Sequence, residues 1–217
     1  MFDFALETMI SQQLVGRGVH DERVLGAFRE VPRKPFVPDY LEIKAFSDLD
    51  LPIGLGQTMS SPYTVARMLA ELRLSPGDRV LEVGTGSGYV TALLARLVRE
   101  VCTIELLPEL AARARKLLQH QMGLSNISYL VGNGFGGWSE KAPFDAILVS
   151  GSHDAVPEPL VGQLRAGGRL VMAIGDDATQ TLRIVERAED DNDVITNFGA
   201  PDWNVLLSSL DDPFDDD

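Results

Sequence analysis

A short apolar strand that runs through three alternating glycines into a helix constrains this chain more than any other feature. The segment is Val80-Leu81-Glu82-Val83-Gly84-Thr85-Gly86-Ser87-Gly88-Tyr89. Glycines at such a junction let the backbone turn tightly and let a ligand approach without a Cβ in the way. The helix that follows presents N–H groups free of intrahelical partners. The glycines run G-x-G-x-G, whereas the dinucleotide fingerprint runs G-x-G-x-x-G and lays a pyrophosphate on the helix N-terminus. This turn is not spaced for that. Glu82, two residues before the first glycine, suits a cationic amino group better than a phosphate. Glu105 closes the next strand roughly 20 residues on, where a carboxylate can accept hydrogen bonds from both hydroxyls of a ribose.

The surrounding pattern is regular. Arg79–Val83, Glu100–Ile104, Ile127–Val131, Ala146–Ser150 and Arg169–Ile174 read as strands. Tyr89–Val98, Pro108–Met122 and Glu158–Leu164 read as helices between them, the second with Pro near its start and Gly123 beyond its end. The alternation predicts an α/β fold, a mostly parallel sheet with helices on both faces. Gln180–Arg187, Val194–Asn197 and Val205–Leu207 are candidates to finish the sheet antiparallel. Ahead of this core, Phe4–Val15 and Glu22–Val31 read as short helices, followed by a passage broken by Pro32, Pro35 and Pro38. A Gly/Pro-rich loop covers Leu51–Pro62. Ser61 then reads as an N-cap with Pro62 at the first helical position, opening a helix to about Leu74. The expected organisation is an extension over 1–74, a core over 75–210 and an acidic tail over 211–217.

With 217 residues, of which 45% are hydrophobic, the chain can build one good α/β core but not two ordinary domains. No apolar run reaches membrane-spanning length, so no membrane partner is expected. Met1–Glu7 lacks the basic start of a secretory signal. Cys102 is the only cysteine, which excludes an internal disulfide framework and fits a reducing cytoplasm. His20 and His120 have no ligand-spaced partners, so no metal site is expected. Ten of the acidic residues lie in 189–217, which has no Lys or Arg and leaves −3 of the formal charge of −13 on the rest. Such a tail repels phosphate and argues against nucleic acid as a partner; its expected state is a solvated segment. No apolar stripe is left over for a second subunit, so a monomer is expected. Cys102 reads as a buried small residue, Trp138 as packing over the sheet, and His153 as a solvated loop residue.

The glycine run with Glu82 and Glu105 resembles the cofactor motifs of class I S-adenosylmethionine-dependent methyltransferases. The resemblance implies a Rossmann-like fold. It also implies that Gly84, Gly86 and Gly88, with Thr85 and Ser87 between them, face S-adenosyl-L-methionine. By the same resemblance Glu82 meets the methionine part, Glu105 the ribose, and Asn133-Gly134 the adenine side. The string Gly56-Gln57-Thr58-Met59-Ser60-Ser61-Pro62-Tyr63 is more specific. Together with Val31-Pro32-Arg33, Phe36-Val37-Pro38, Pro76-Gly77-Asp78 and Leu164-x-x-Gly167-Gly168-Arg169-Leu170, it resembles the protein-L-isoaspartate O-methyltransferase family over roughly residues 8–175. That family methylates the carboxylate of L-isoaspartyl residues in damaged proteins or peptides. The resemblance implies that Ser60 contacts this carboxylate, that Gln57 and Thr58 shape the same loop, and that Val205 borders the substrate.

The sequence departs from the family in three places. Gly132-Asn133-Gly134 stands where Gly-Asp-Gly is usual. Ser150-Gly151-Ser152-His153-Asp154 replaces a small apolar stretch. Val205-Leu206-Leu207, beside Trp203, stands where the family reads close to Val-Pro-Leu. Two other readings therefore stay open at this point. One is a methyltransferase of the same fold acting on another peptide carboxylate, such as aspartate. The other is a homologue that binds cofactor or protein without catalysis.

Overall fold

In the computed structural model, residues 3–175, 181–188 and 194–198 are described. Trp203, Val205–Leu207 and the expected tail over 211–217 lie outside them.

The chain opens with α1 (Phe4–Thr8), which runs on through a π turn at Met9–Leu14 and a 3-10 turn at Val15–Arg17. Asp3 caps α1 by accepting the N–H groups of Ala5 and Leu6. Asp21 caps α2 (Glu22–Glu30) in the same way, accepting from Arg23 and Val24. The proline-rich passage forms 3-10 turns at Lys34–Phe36 and Asp39–Lys44. A hairpin follows, β1 (Leu51–Gly54) with β2 (Gln57–Met59), pairing Leu51 with Met59. This corrects the sequence reading of a loop over Leu51–Pro62. Leu51, Ile53 and Met59 point inward and are buried, while the residues between them are exposed. Ser61 and Pro62 then open α3 (Pro62–Glu71), with the Ser61 hydroxyl accepting the Thr64 N–H.

The main sheet is built from β3 (Arg79–Val83), β4 (Glu100–Glu105), β5 (Ile127–Val131), β6 (Phe144–His153), β7 (Leu164–Ile174), β8 (Thr181–Glu186) and β9 (Val194–Phe198). Between them lie α4 (Tyr89–Leu97), α5 (Pro108–Arg115) continuing as a π turn at Lys116–Gln121, and α6 (Glu158–Gly162). The strand order is β5-β4-β3-β6-β7-β8-β9. The first five strands are parallel and the last two antiparallel, as the alternation predicts.

This order fixes where a ligand can go. The chain steps outward from β3 to β4 to β5, then returns to place β6 on the other side of β3. Connections leave β3 and β6 in opposite directions, so a crevice opens at their carboxyl ends. The register aligns the mouth of that crevice, with Val83 beside Ile104 on one side and Val149 on the other.

Both faces of the sheet are covered. On one, Val80, Val101, Ala146, Leu148 and Val171 join a core that also contains Leu14, Phe28, Leu69 and Leu93. On the other, Leu81, Cys102, Ile147 and Met172 pack with Phe144 and Leu160. Cys102 is buried there, and Trp138 packs against the same cluster. The N-terminal helices thus share one apolar core with the sheet. Phe28 and Phe36 both meet the Tyr89 ring edge-on, at centroid distances of 6.0 and 5.2 Å. Among the described residues no helix is long and apolar enough to cross a membrane.

Candidate functional site

A cavity of about 320 Å³ occupies the crevice. Its floor is the glycine turn after β3, at Val83, Gly84 and Gly86. One side is formed by Ile104, Glu105 and Leu106 at the end of β4, with Asn133, Gly134 and Phe135 after β5. Ser150 and Gly151 close it at the end of β6, and Gly56, Gln57, Thr58 and Ser60 of the hairpin overhang it. Expected cofactor residues and expected substrate residues therefore face one space.

The turn is held open by specific contacts. Gly84 has φ of +93°, and a Cβ there would lie 2.9 Å from the Ser150 carbonyl oxygen. Only a residue without a side chain fits that approach. The Glu105 carboxylate is 6% exposed. Its Oε2 accepts the Gly86 N–H at 2.8 Å and its Oε1 accepts the Leu107 N–H at 2.9 Å. Gly134 packs its bare Cα against Val83, where a Cβ would come within 2.4 Å of the valine Cγ1. The Asn133 Oδ1 accepts the Phe135 N–H at 3.0 Å, a turn contact that an aspartate would make with the same geometry. The departure from Gly-Asp-Gly therefore leaves the local backbone unaltered.

Four expected ligand contacts stand outside this cavity. Glu82 is fully buried and does not reach the cavity wall. In a strand covered on both faces, every side chain is taken up by packing, and Glu82 falls on the face beneath α4. Its Oε2 accepts hydrogen bonds from the hydroxyls of Thr91 and Thr103, both at 2.6 Å. Burial, opposed by those two hydrogen bonds and reinforced by the nearby charge of Glu105, pushes its carboxyl up to about 8. It is mostly uncharged at neutral pH. Thr85 joins the same network, with its hydroxyl oxygen 2.6 Å from that of Thr103. Gly88 is the left-handed N-cap of α4, and a Cβ there would meet Leu118 at 3.0 Å and Ala114 at 3.2 Å. The bare Cα lets α4 pack close to α5 and the turn that continues it. Ser87 turns to a neighbouring cavity of about 370 Å³ and donates to the Met59 sulfur at 3.4 Å.

Ser60 is half-buried on the cavity wall, and among the described residues its hydroxyl makes no hydrogen bond. Its carbonyl oxygen accepts a hydrogen bond from Arg33 at 2.7 Å. Gln57 and Thr58 are exposed beside it. His153 is exposed, stacks at 4.6 Å from the Phe135 ring and accepts the Asp154 N–H through Nδ1 at 2.7 Å. The sequence reading missed Leu106, Phe135 and Ser150 as wall residues. Their signal is positional, since Leu106 and Phe135 come after parallel strands and Ser150 lies at an irregularity near the carboxyl end of β6. Val205 lies outside the described residues.

Comparison with known proteins agrees with this fold. Residues 6–203 match the sequence model of the family described as protein-L-isoaspartate(D-aspartate) O-methyltransferase. A protein-L-isoaspartate O-methyltransferase of Trichlorobacter lovleyi is 50% identical over 189 residues, 87% of each chain. One from a Picosynechococcus species is 47% identical, covering 85% of this chain and 82% of its own. In overall fold the chain is similar to a Plasmodium falciparum structure described as a protein-L-isoaspartate O-methyltransferase in complex with S-adenosyl-L-homocysteine. That match has a TM-score of 0.76 at 24% identity and covers 91% of this chain and 95% of the other.

Proposed function

This chain belongs to the protein-L-isoaspartate(D-aspartate) O-methyltransferase family, and we propose that it moves the methyl group of S-adenosyl-L-methionine onto the carboxylate of L-isoaspartyl residues in damaged proteins and peptides. The observation that carries this reading is the shared cavity, in which Ser60, Gln57 and Thr58 face Glu105 and the Gly84–Gly86 turn.

The residues present fit the cofactor. The Gly84 main chain lines the cavity floor, and its bare Cα lets β6 close in behind it. Glu105 offers a carboxylate at the end of β4 for a ribose diol, and exposed Leu106 beside it gives an apolar surface for a purine. Asn133 and Gly134 lie on the same side. In this reading Gly84, Gly86, Glu105, Asn133 and Gly134 hold the cofactor. Glu82 and Thr85 brace the turn from beneath, Gly88 seats α4, and Ser87 supports the hairpin. When bound, the cofactor supplies a methyl group already activated on a sulfonium centre.

Little acid–base chemistry is then required of the protein. A carboxylate is ionised at neutral pH and needs no base to become a nucleophile. What remains is to hold it in line and to keep water out. The Ser60 hydroxyl donates a hydrogen bond to the substrate carboxylate and orients it, while Gln57 and Thr58 shape the entrance. Val205, outside the described residues, is assigned to the substrate side. The methyl ester produced is more reactive than the acid and favours succinimide closure, the first step back towards a normal linkage. The same reading has the chain act as a cytoplasmic monomer, with an extension over 1–74 that carries the substrate loop.

The test is transfer of labelled methyl from the cofactor to paired peptides that differ only in an isoaspartyl or an aspartyl linkage. Base-labile label on the isoaspartyl peptide alone is expected. Equal or reversed labelling would move the chain to another carboxylate, and no labelling with intact cofactor binding would leave it a binding protein.

A further inference from the structure

Arginine is seldom fully buried unless a carboxylate pairs with it. Arg33, between α2 and the Lys34–Phe36 turn, is 0% exposed and forms no ion pair among the described residues. Its guanidinium carbon lies 5.4 Å from the Tyr89 ring centroid. Its Nη2 donates to the Ser60 carbonyl oxygen at 2.7 Å, and its Nε and Nη1 have no partner. On the other side, Asp50 Oδ1 accepts the Ser61 N–H at 2.6 Å. The Ser60 carbonyl and the Ser61 N–H belong to one planar peptide group. A buried cation holds its oxygen and a carboxylate holds its nitrogen. Asp48 adds a third hold on this segment, accepting the Tyr63 N–H at 3.1 Å while pairing with Arg17 at 2.5 Å.

Fixing that plane fixes the torsion between the Ser60 Cα and its carbonyl, and so the direction in which the Ser60 side chain leaves the backbone. We propose that Arg33 and Asp50 are positioning residues, clamping the Ser60–Ser61 peptide group from both ends so that the Ser60 hydroxyl meets the substrate carboxylate. The proposal rests on the reading of Ser60 given above. It explains why a charge stands where packing alone would accept an apolar side chain. Where buried charges are replaced together by apolar groups of similar size, a fold often loses little. The hydrogen bond to the Ser60 carbonyl, in contrast, has no apolar substitute.

The experiment uses the full chain, with steady-state kinetics on an isoaspartyl peptide beside titration with S-adenosylhomocysteine. The variants are Arg33→Met, Arg33→Lys, Asp50→Ala, Ser60→Ala and the double variant Arg33→Met with Ser60→Ala. Arg33→Met is expected to lose about 10- to 100-fold in kcat/KM, the scale of a small misplacement of a reacting group, while S-adenosylhomocysteine binds as to the parent. Arg33→Lys, which restores a cationic donor, is expected to recover most of the loss. In the Ser60→Ala background Arg33→Met should add little. An equal loss in both backgrounds, or a matching loss of cofactor affinity, would overturn the clamp. Parental kinetics in Ser60→Ala would sink the role of the hydroxyl and the clamp with it. An impaired Ser60→Ala beside a fully active Arg33→Met would sink the clamp alone. Asp50→Ala opens the other end of the same peptide group and is read in the same way, so a poorly folding Arg33→Met does not shelter the idea.

Discussion

The Glu105 carboxylate accepts the main-chain N–H of Gly86 at 2.8 Å, so the acid at the end of β4 is bonded to the turn at the end of β3. Its second oxygen is held by Leu107. One side chain therefore sets the spacing of two adjacent loops and presents what acceptor capacity remains to the cavity. Glu105→Ala removes both supports and the proposed ribose contact together. A charged hydrogen bond is worth about 1.5–3 kcal/mol, so affinity for S-adenosylhomocysteine should fall at least about 10-fold, with the fold preserved. Glu105→Gln should fall between the two, because an amide oxygen can serve only one of the N–H groups. Calorimetric titration measures this, and an unchanged affinity in the alanine variant would remove Glu105 from the site.

Ser60→Ala should lower kcat/KM on isoaspartyl peptide by about 10- to 100-fold, the worth of one neutral-to-charged hydrogen bond. Cofactor affinity should hold, since Ser60 lies on the hairpin side of the cavity and not on the turns proposed to hold the cofactor. The residual rate should be flat in pH near neutrality, because an orienting hydroxyl moves no proton. A steep pH dependence in the variant, absent from the parent, would make Ser60 part of a proton path instead.

Glu82 predicts a pH-dependent stability. Its carboxyl has an ordinary value of 4.5 and is pushed up to about 8 in the fold. Between those values the folded state holds a proton that the unfolded state has released. Stability from this group is therefore full at low pH, falls as pH rises through that window, and levels off above about 8. Glu82→Gln keeps the shape and carries no charge, so it should lose this component. The melting temperature of the variant relative to the parent should rise from pH about 5 to about 9. Parallel curves would mean that Glu82 ionises in the fold as easily as in water.

Gly84→Ala should damage both binding and stability. The backbone there sits at φ of +93°, and the new methyl would press on the Ser150 carbonyl oxygen. The left-handed region alone costs roughly 1–2 kcal/mol for an L-residue, and the contact adds to it. Thermal unfolding and S-adenosylhomocysteine titration together test this. A variant that melts and binds like the parent would show that β6 yields easily, and that the approach of β3 to β6 is not what shapes the crevice floor.

The parallel core was legible because its strands read as short, mostly apolar runs set between turns and helices. Arg79–Val83 and Ile127–Val131 have the same limits in sequence pattern and in structure. The hairpin at Leu51–Met59 was not, since Pro52 and the Gly54-Leu55-Gly56 turn outweigh the weak alternation of Leu51 and Ile53. Gly84, Gly86 and Glu105 line the cavity. Glu82 does not line it, because nearness in sequence to a glycine turn says nothing about which way a side chain leaves a doubly covered strand. Residues at the carboxyl ends of the strands and just past them, such as Glu105 and Leu106, are the ones that reach the crevice. Arg33 was visible merely as part of a string. Its contact lies 27 residues along the chain, and no local pattern encodes such a bond.

The continuous core on the α4 side of the sheet has a consequence for how the molecule is made. Leu14, Phe28 and Leu69 leave the ribosome before Val80, Leu93, Val101 and Leu148, the surfaces they pack on. A nascent N-terminal third can pack α1 and α2 only against α3, and the rest of the surface they close on arrives with the sheet. Once closed, they open only with it. Amide hydrogens in α2 should then exchange with solvent at the rate of global unfolding, and a ligand at the Gly84–Gly86 turn should slow that exchange.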